Sequence, residues 1–104
     1  MNKDDLVAKV KKAVLEIEPS AEIYLFGSRS RGDSQTDSDW DFLILLDGPV
    51  DGQRTDRVRH RLYEIEWEVN EVISSLVWNK IKWDEEPYRQ MPLHDNIERE
   101  GIRL

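Results

Sequence analysis

Two short apolar runs on either side of one polar stretch constrain this chain more than any other feature. Glu22-Ile23-Tyr24-Leu25-Phe26 is β-prone, and Asp39-Trp40-Asp41-Phe42-Leu43-Ile44-Leu45-Leu46 is charged at its start and apolar afterwards. Both read as strands. Between them lies Gly27-Ser28-Arg29-Ser30-Arg31-Gly32-Asp33-Ser34-Gln35-Thr36-Asp37-Ser38, polar and rich in turn formers. Asp39 and Asp41, two apart on a strand, point to the same face. Adjacent carboxylates repel, and a divalent cation between them removes that cost. Hard oxygen ligands of this kind suit Mg²⁺ or Mn²⁺, which retains waters and also binds substrate phosphate. At the other end of the stretch, Gly27 lets the backbone approach a phosphate closely. Ser28 and the amides after it can donate hydrogen bonds, more so where a short helix starts. Arg29 and Arg31 can add charge-assisted contacts. A phosphate cradle at one strand end and a metal pair at the next strand start fit phosphoryl or nucleotidyl transfer. The plain alternative is that these are ordinary turn residues and solvated acids.

The rest of the chain supplies a frame for these strands. Leu6, Val7, Val10, Val14 and Ile17 recur at helical spacing, with Asp4 and Asp5 favouring a helix N-terminus and Pro19 stopping it. Gly48-Pro49 and Asp51-Gly52 mark a loop. From about Arg54 a second stripe, Val58, Leu62, Ile65 and Val69, predicts another helix. The segment from Glu71 to Trp78 is richest in β-formers and predicts a third strand. After Pro87 a short helix carries Met91, Leu93 and Ile97, with Gly101 as its terminator. This order predicts an α/β (α+β) fold with a small mixed sheet backed by helices, and 104 residues argue for a single domain over 1–104. The net charge of −7 disfavours a nucleic-acid substrate or an anionic membrane. No cysteine is present, which excludes disulfides and thiolate metal sites. No apolar run of about 18 residues occurs, and Met1-Asn2-Lys3-Asp4-Asp5 lacks a signal core, so a cytoplasmic protein is expected.

Gly27-Ser28, ten residues, then Asp39-x-Asp41 matches the signature of the DNA polymerase β-like nucleotidyltransferase superfamily. Phe26-Gly27-Ser28-Arg29-Ser30-Arg31-Gly32-Asp33 and Ser38-Asp39-Trp40-Asp41-Phe42-Leu43 resemble its minimal nucleotidyltransferase branch over about Leu6 to Leu46. Pro92-Leu93-His94-x-x-Ile97-x-x-Glu100-Gly101 also resembles tails of that branch. The resemblance implies a nucleotidyltransferase-like fold, with Gly27 and Ser28 at the triphosphate and Asp39 and Asp41 binding metal, read here as Mg²⁺ of a two-metal type. Arg29 and Arg31 join the nucleotide-binding set on their charge alone. It implies ATP or another nucleoside triphosphate as substrate. Members of the branch are often antitoxins paired with a HEPN-domain ribonuclease, and some transfer AMP from ATP onto a tyrosine of that partner. The family's third carboxylate aligns here with Ser74 or Ser75. Glu71 shares a face with Ser75 if the segment is a strand, and is read either as its substitute in catalysis or as a surface acid. Two functions follow: an Mg²⁺-dependent enzyme acting on a hydroxyl of a partner macromolecule, or a catalytically degenerate protein-binding antitoxin.

Other signals carry less. Gly27-x4-Gly32 opens like a P-loop, but Asp33-Ser34 stands where Lys-Ser/Thr is needed. The Arg31-Gly32-Asp33 tripeptide is a chance occurrence. Arg54, Arg57, Arg59, His60 and Arg61 read as a solvated helix face pairing with Glu64 and Glu68, with an acidic partner or nucleic acid as the second reading. His60 and His94 stand alone and far apart, which speaks against a His-ligated metal. Trp67, with Tyr63, falls off the apolar stripe; Trp67, Trp78 and Trp83 either pack at the core's edge or form a docking surface.

Overall fold

The computed structural model describes residues 2–32 and 38–104. Part of the polar stretch, 33–37, lies outside the described residues, and with it Asp33 of the P-loop-like and Arg31-Gly32-Asp33 motifs. The elements are α1 (Lys3–Ile17), β1 (Glu22–Phe26), α2 (Ser28–Arg31), β2 (Trp40–Leu46), α3 (Gly52–Val69), β3 (Ile73–Asn79), α4 (Lys80–Trp83), α5 (Pro92–Glu100) and β4 (Ile102–Arg103). A 3₁₀ turn at Tyr88–Gln90 leads into α5. The four strands form one mixed sheet in the order β3-β2-β1-β4. β1 lies antiparallel to β2 and β4, whereas β2 and β3 are parallel and joined through α3.

Alternation along the strands sorts the apolar side chains onto two faces. Ile23, Leu25, Trp40, Phe42, Ile44, Leu46 and Ile73 pack with Leu6, Val10 and Val14 of α1 and Val58, Leu62 and Ile65 of α3. Leu43 and Leu45 face the other way, against Trp83 of α4 and Ile97 of α5, with Tyr24, Phe26, Leu76 and Trp78 around them. β2 is buried on both faces, which explains its nearly unbroken apolar run after Asp41.

Local chemistry sets the boundaries. The Asn2 side chain accepts from the Asp5 amide at the start of α1, and Asp51 accepts from the Arg54 amide at the start of α3. The Asp51-Gly52 pair expected as loop is therefore the cap and first residue of α3. Asn70 ends α3 in the left-handed region at φ 57°. Glu71 and Val72 then belong to the connection, and β3 starts at Ile73 rather than at Glu71. Gly101 ends α5 as expected but with an extended backbone; its role is close approach, because a Cβ there would lie 2.5 Å from the Ile97 carbonyl oxygen. No helix among the described residues is long and apolar enough to cross a membrane.

Candidate functional site

The C-terminal end of β1 meets the N-terminal ends of β2 and β3, and the residues singled out by their chemistry gather there. Phe26 pairs with Asp41, and Asp41 pairs with Ser74. Gly27 follows immediately with φ 76°, a conformation that favours glycine, and caps α2. A Cβ on Gly27 would stand 2.5 Å from Asp41 Oδ2. That approach is open only to a residue without a side chain, so the glycine backbone and the Asp41 carboxylate form one surface. Ser28 opens α2, where the Ser30 and Arg31 amides donate back to the Gly27 carbonyl.

Strand β2 begins at Trp40, so Asp39 immediately precedes it and is exposed. The two aspartates still face each other's field. Burial, and then the charge of Asp39, push the Asp41 carboxyl above its ordinary value of 3.8. Ser74 Oγ lies 3.5 Å from Asp39 Oδ2, at the outer limit of a hydrogen bond. Repelling carboxylates beside a close-approaching glycine form a donor set that fits a divalent cation.

The register puts Ser74 and Ser75 on opposite faces of the sheet. Ser74, opposite Asp41, is on the aspartate face, whereas Ser75 shares the face of Ile73 and Val77 with α1 and α3. Of the two serines, Ser74 is the one that shares the face of Asp41. Glu71 lies outside the strand, so the expected sharing of a strand face with Ser75 does not arise. Its Oε2 lies 3.7 Å from Arg29 Nη2. Among the described residues no third carboxylate joins Asp39 and Asp41 within reach of one ion.

The two arginines are both engaged within the molecule. Arg29 donates through Nε and Nη2 to the Ser38 carbonyl, at 3.3 and 2.9 Å. Its guanidinium stacks 4.3 Å from the Trp40 ring centroid. Arg29 thus ties α2, the segment entering Asp39 and the turn at Glu71 together. Arg31 pairs with Glu100 of α5 at 3.1 Å.

Several readings of the remaining residues resolve here. Arg54 belongs to no solvated basic face: it binds Glu18 and the carbonyls of Asp47 and Pro49. Arg61 pairs with Glu64, as the solvated reading expects, but Glu68 pairs with Lys9 of α1. Trp83 is buried, and Trp78 packs against it and against Tyr88. Trp67 is 75% exposed and Tyr63 53%. These three tryptophans therefore divide, Trp78 and Trp83 into the fold and Trp67 onto the surface. His94, which stands alone in the sequence, is buried beside Asp84 and Glu98.

A family profile described as "Nucleotidyltransferase domain" matches residues 7–100. No curated protein matches the chain. Among solved structures, a toxin–antitoxin crystallised with AMP-PNP shares the fold with a TM-score of 0.65 at 19% identity, over 92% of this chain and 69% of that one. A toxin–antitoxin MntA-HpeT mutant with two aspartate-to-glutamate substitutions gives 0.59 at 15% identity, over 99% of this chain and 72% of that one. A second MntA-HpeT mutant gives 0.58 at 18% identity, over 100% and 72%. With nearly its whole length matched by the profile and the same fold in these structures, this chain belongs to the nucleotidyltransferase domain family.

Proposed function

We propose that the chain binds a nucleoside triphosphate, ATP in the first instance, with Mg²⁺ and transfers its nucleotidyl group to a hydroxyl of a partner protein, as the antitoxin of a HEPN-type toxin. The carrying observation is the joint surface of Gly27 and the Asp39–Asp41 pair. Asp39 and Asp41 would hold the cation, which when bound offsets phosphate charge at the reacting phosphorus. The Gly27 backbone and Ser28 cradle the triphosphate. In the transfer the acceptor oxygen bonds to the α-phosphorus, the bond to the bridging oxygen breaks, and pyrophosphate leaves. The hydroxyl proton passes to solvent or to a group of the partner, because Glu71 is engaged with Arg29. Arg29 acts by fixing the segment that carries Asp39, and Arg31, at the end of α2, adds positive charge toward the outer phosphates.

Support for a protein partner comes from the surface beside this site. Tyr63, Trp67 and Val72 are exposed and line one groove with Glu71, whose carboxylate reaches Arg29. Exposed aromatics of this kind favour protein contacts, and the solved structures of similar fold are toxin–antitoxin pairs. The second reading, a degenerate antitoxin that occludes its partner without turnover, is favoured by Ser74 opposite Asp41. Calorimetric titration with a non-hydrolysable ATP analogue, with and without Mg²⁺, tests the first reading. Mg²⁺-dependent binding that disappears in the Asp39→Asn, Asp41→Asn double variant is expected. Binding that the double variant retains unchanged would remove the metal assignment, and binding without transfer of label from ATP to the partner would select the second reading.

A further inference from the structure

A second group of ligand-type side chains lies away from the nucleotide end of the sheet. His94 and Glu98 are four apart on α5 and so share a face, and Asp84 caps the end of α4. One donor atom from each falls within 4.8 Å of the other two. His94 is only 6% exposed, and its ring stacks on Trp83 with centroids 4.7 Å apart, so the imidazole is held in one orientation. Asp84 and Glu98, by contrast, are exposed, and with His94 they line an open cleft.

Three details separate this group from an ordinary ion pair. His94 Nε2 stands 3.3 Å from Asp84 Oδ1. That is long for a hydrogen bond, whose usual length is about 2.9 Å. It is close to the roughly 3.4 Å separating two ligands bound at about 2.0–2.1 Å in a tetrahedral site. Glu98, next to this pair, makes no hydrogen bond or ion pair among the described residues. Arg89 also lines the cleft but forms no ion pair with Asp84 or Glu98, while Asp95, on the same cleft, is taken by Arg99 at 3.2 Å. Among the described residues the two carboxylates thus face a fixed imidazole with no Arg or Lys paired to either.

We infer that Asp84, His94 and Glu98 form a second cation site, independent of Asp39 and Asp41, for a transition-metal dication of the Zn²⁺ type. One imidazole and two carboxylates suit Zn²⁺ better than Mg²⁺, which prefers an all-oxygen octahedral shell. The bound ion would fasten α5 to the end of α4 and leave at least one coordination position to solvent.

The test uses the full chain carrying Asp39→Asn and Asp41→Asn, stripped with chelator, so that the nucleotide-end carboxylates contribute nothing. Titration with Zn²⁺ should show one equivalent bound, with a rise in Tm that millimolar Mg²⁺ does not reproduce. Co²⁺ in place of Zn²⁺ should give the visible bands of a four- or five-coordinate ion. Asp84→Asn and Glu98→Gln, both at exposed positions, should each weaken binding by at least the roughly tenfold that loss of an outer-shell partner costs. Absence of stoichiometric Zn²⁺ binding would overturn the inference, as would unchanged affinity in both single variants. Neither result bears on the nucleotide site, whose aspartates are removed in this background.

Discussion

Strand β2 is held at both ends by an arginine that grips a loop carbonyl and reaches a glutamate, but the two grips differ. At the far end, Arg54 contacts Glu18 at 2.6 and 3.1 Å and the Asp47 and Pro49 carbonyls at 2.7 Å each. At the chemical end, Arg29 has the Ser38 carbonyl, a stacked Trp40 ring and a glutamate 3.7 Å away. The Arg54 clasp is bidentate and ties α1, the β2–α3 loop and α3 into the frame. The Arg29 grip adds a stacked ring, and its glutamate stands farther off, at 3.7 Å. The two ends of β2 are thus fastened by different chemistry, a bidentate ion pair at one and a stacked guanidinium at the other.

Breaking the tight clasp should give the largest effect. Arg54→Ala strands Glu18, which is 8% exposed, and is expected to cost about 2 kcal/mol, or roughly 10 °C in Tm. Thermal unfolding checks this, and a loss below about 2 °C would mean that the clasp is ornamental. Arg29→Ala should separate the two ends, with a smaller Tm loss of about 4 °C but roughly tenfold weaker nucleotide binding by calorimetry. Arg29→Lys should not restore affinity, because an ammonium supplies neither the planar stack nor the forked donation to Ser38. Equal damage to affinity from Arg54→Ala and Arg29→Ala would erase the distinction.

Glu71→Gln sharpens the same comparison. A pair 3.7 Å long and partly exposed contributes less than about 1 kcal/mol, so nucleotide affinity and turnover should fall by less than about fivefold. A hundredfold loss of turnover with intact affinity would instead make Glu71 the substitute third acid. The smallest effect concerns Asp41. Its folded carboxyl titrates above the ordinary value, so in the cation-free protein this group opposes folding at neutral pH. That opposition is relieved as pH falls through the folded pKa toward 3.8. Asp41→Asn should accordingly raise the cation-free Tm by about 2 °C, on the scale of roughly 0.5 kcal/mol, while abolishing Mg²⁺-dependent binding. A lowered Tm would show that Asp41 is not strained by its neighbour.

The helices with apolar stripes and both strands flanking the polar stretch were legible because their periodicity extends over many residues. The pairing of Asp39 with Asp41 was legible because they are two apart at a strand start, whereas the nearness of Gly27 to Asp41 comes from the β1–β2 register across the ten residues that separate Ser28 from Asp39. The start of β3 was not: Asn70 adopts a left-handed cap, which moves Glu71 out of the strand and into reach of Arg29. Composition cannot distinguish such a cap from the first residue of a strand. β4, only two residues long, carries no periodic signal at all. Arg54 looked like a member of a basic face because its partner, Glu18, is 36 residues away. The grouping of Asp84, His94 and Glu98 depends on the turn through Tyr88–Gln90, which brings back a histidine ten residues after the aspartate.

The last residues have a consequence of their own. β4 covers one side of β1 through the pairs Tyr24–Arg103 and Leu25–Ile102, and the Leu104 amide donates to the Ile23 carbonyl. β1 is the strand that delivers Gly27. Without residues 101–104 its backbone donors and acceptors would form an open ladder, the kind of template on which a second polypeptide assembles. The short strand β4 therefore occupies the ladder positions of Tyr24 and Leu25 that would otherwise stand open beside Gly27.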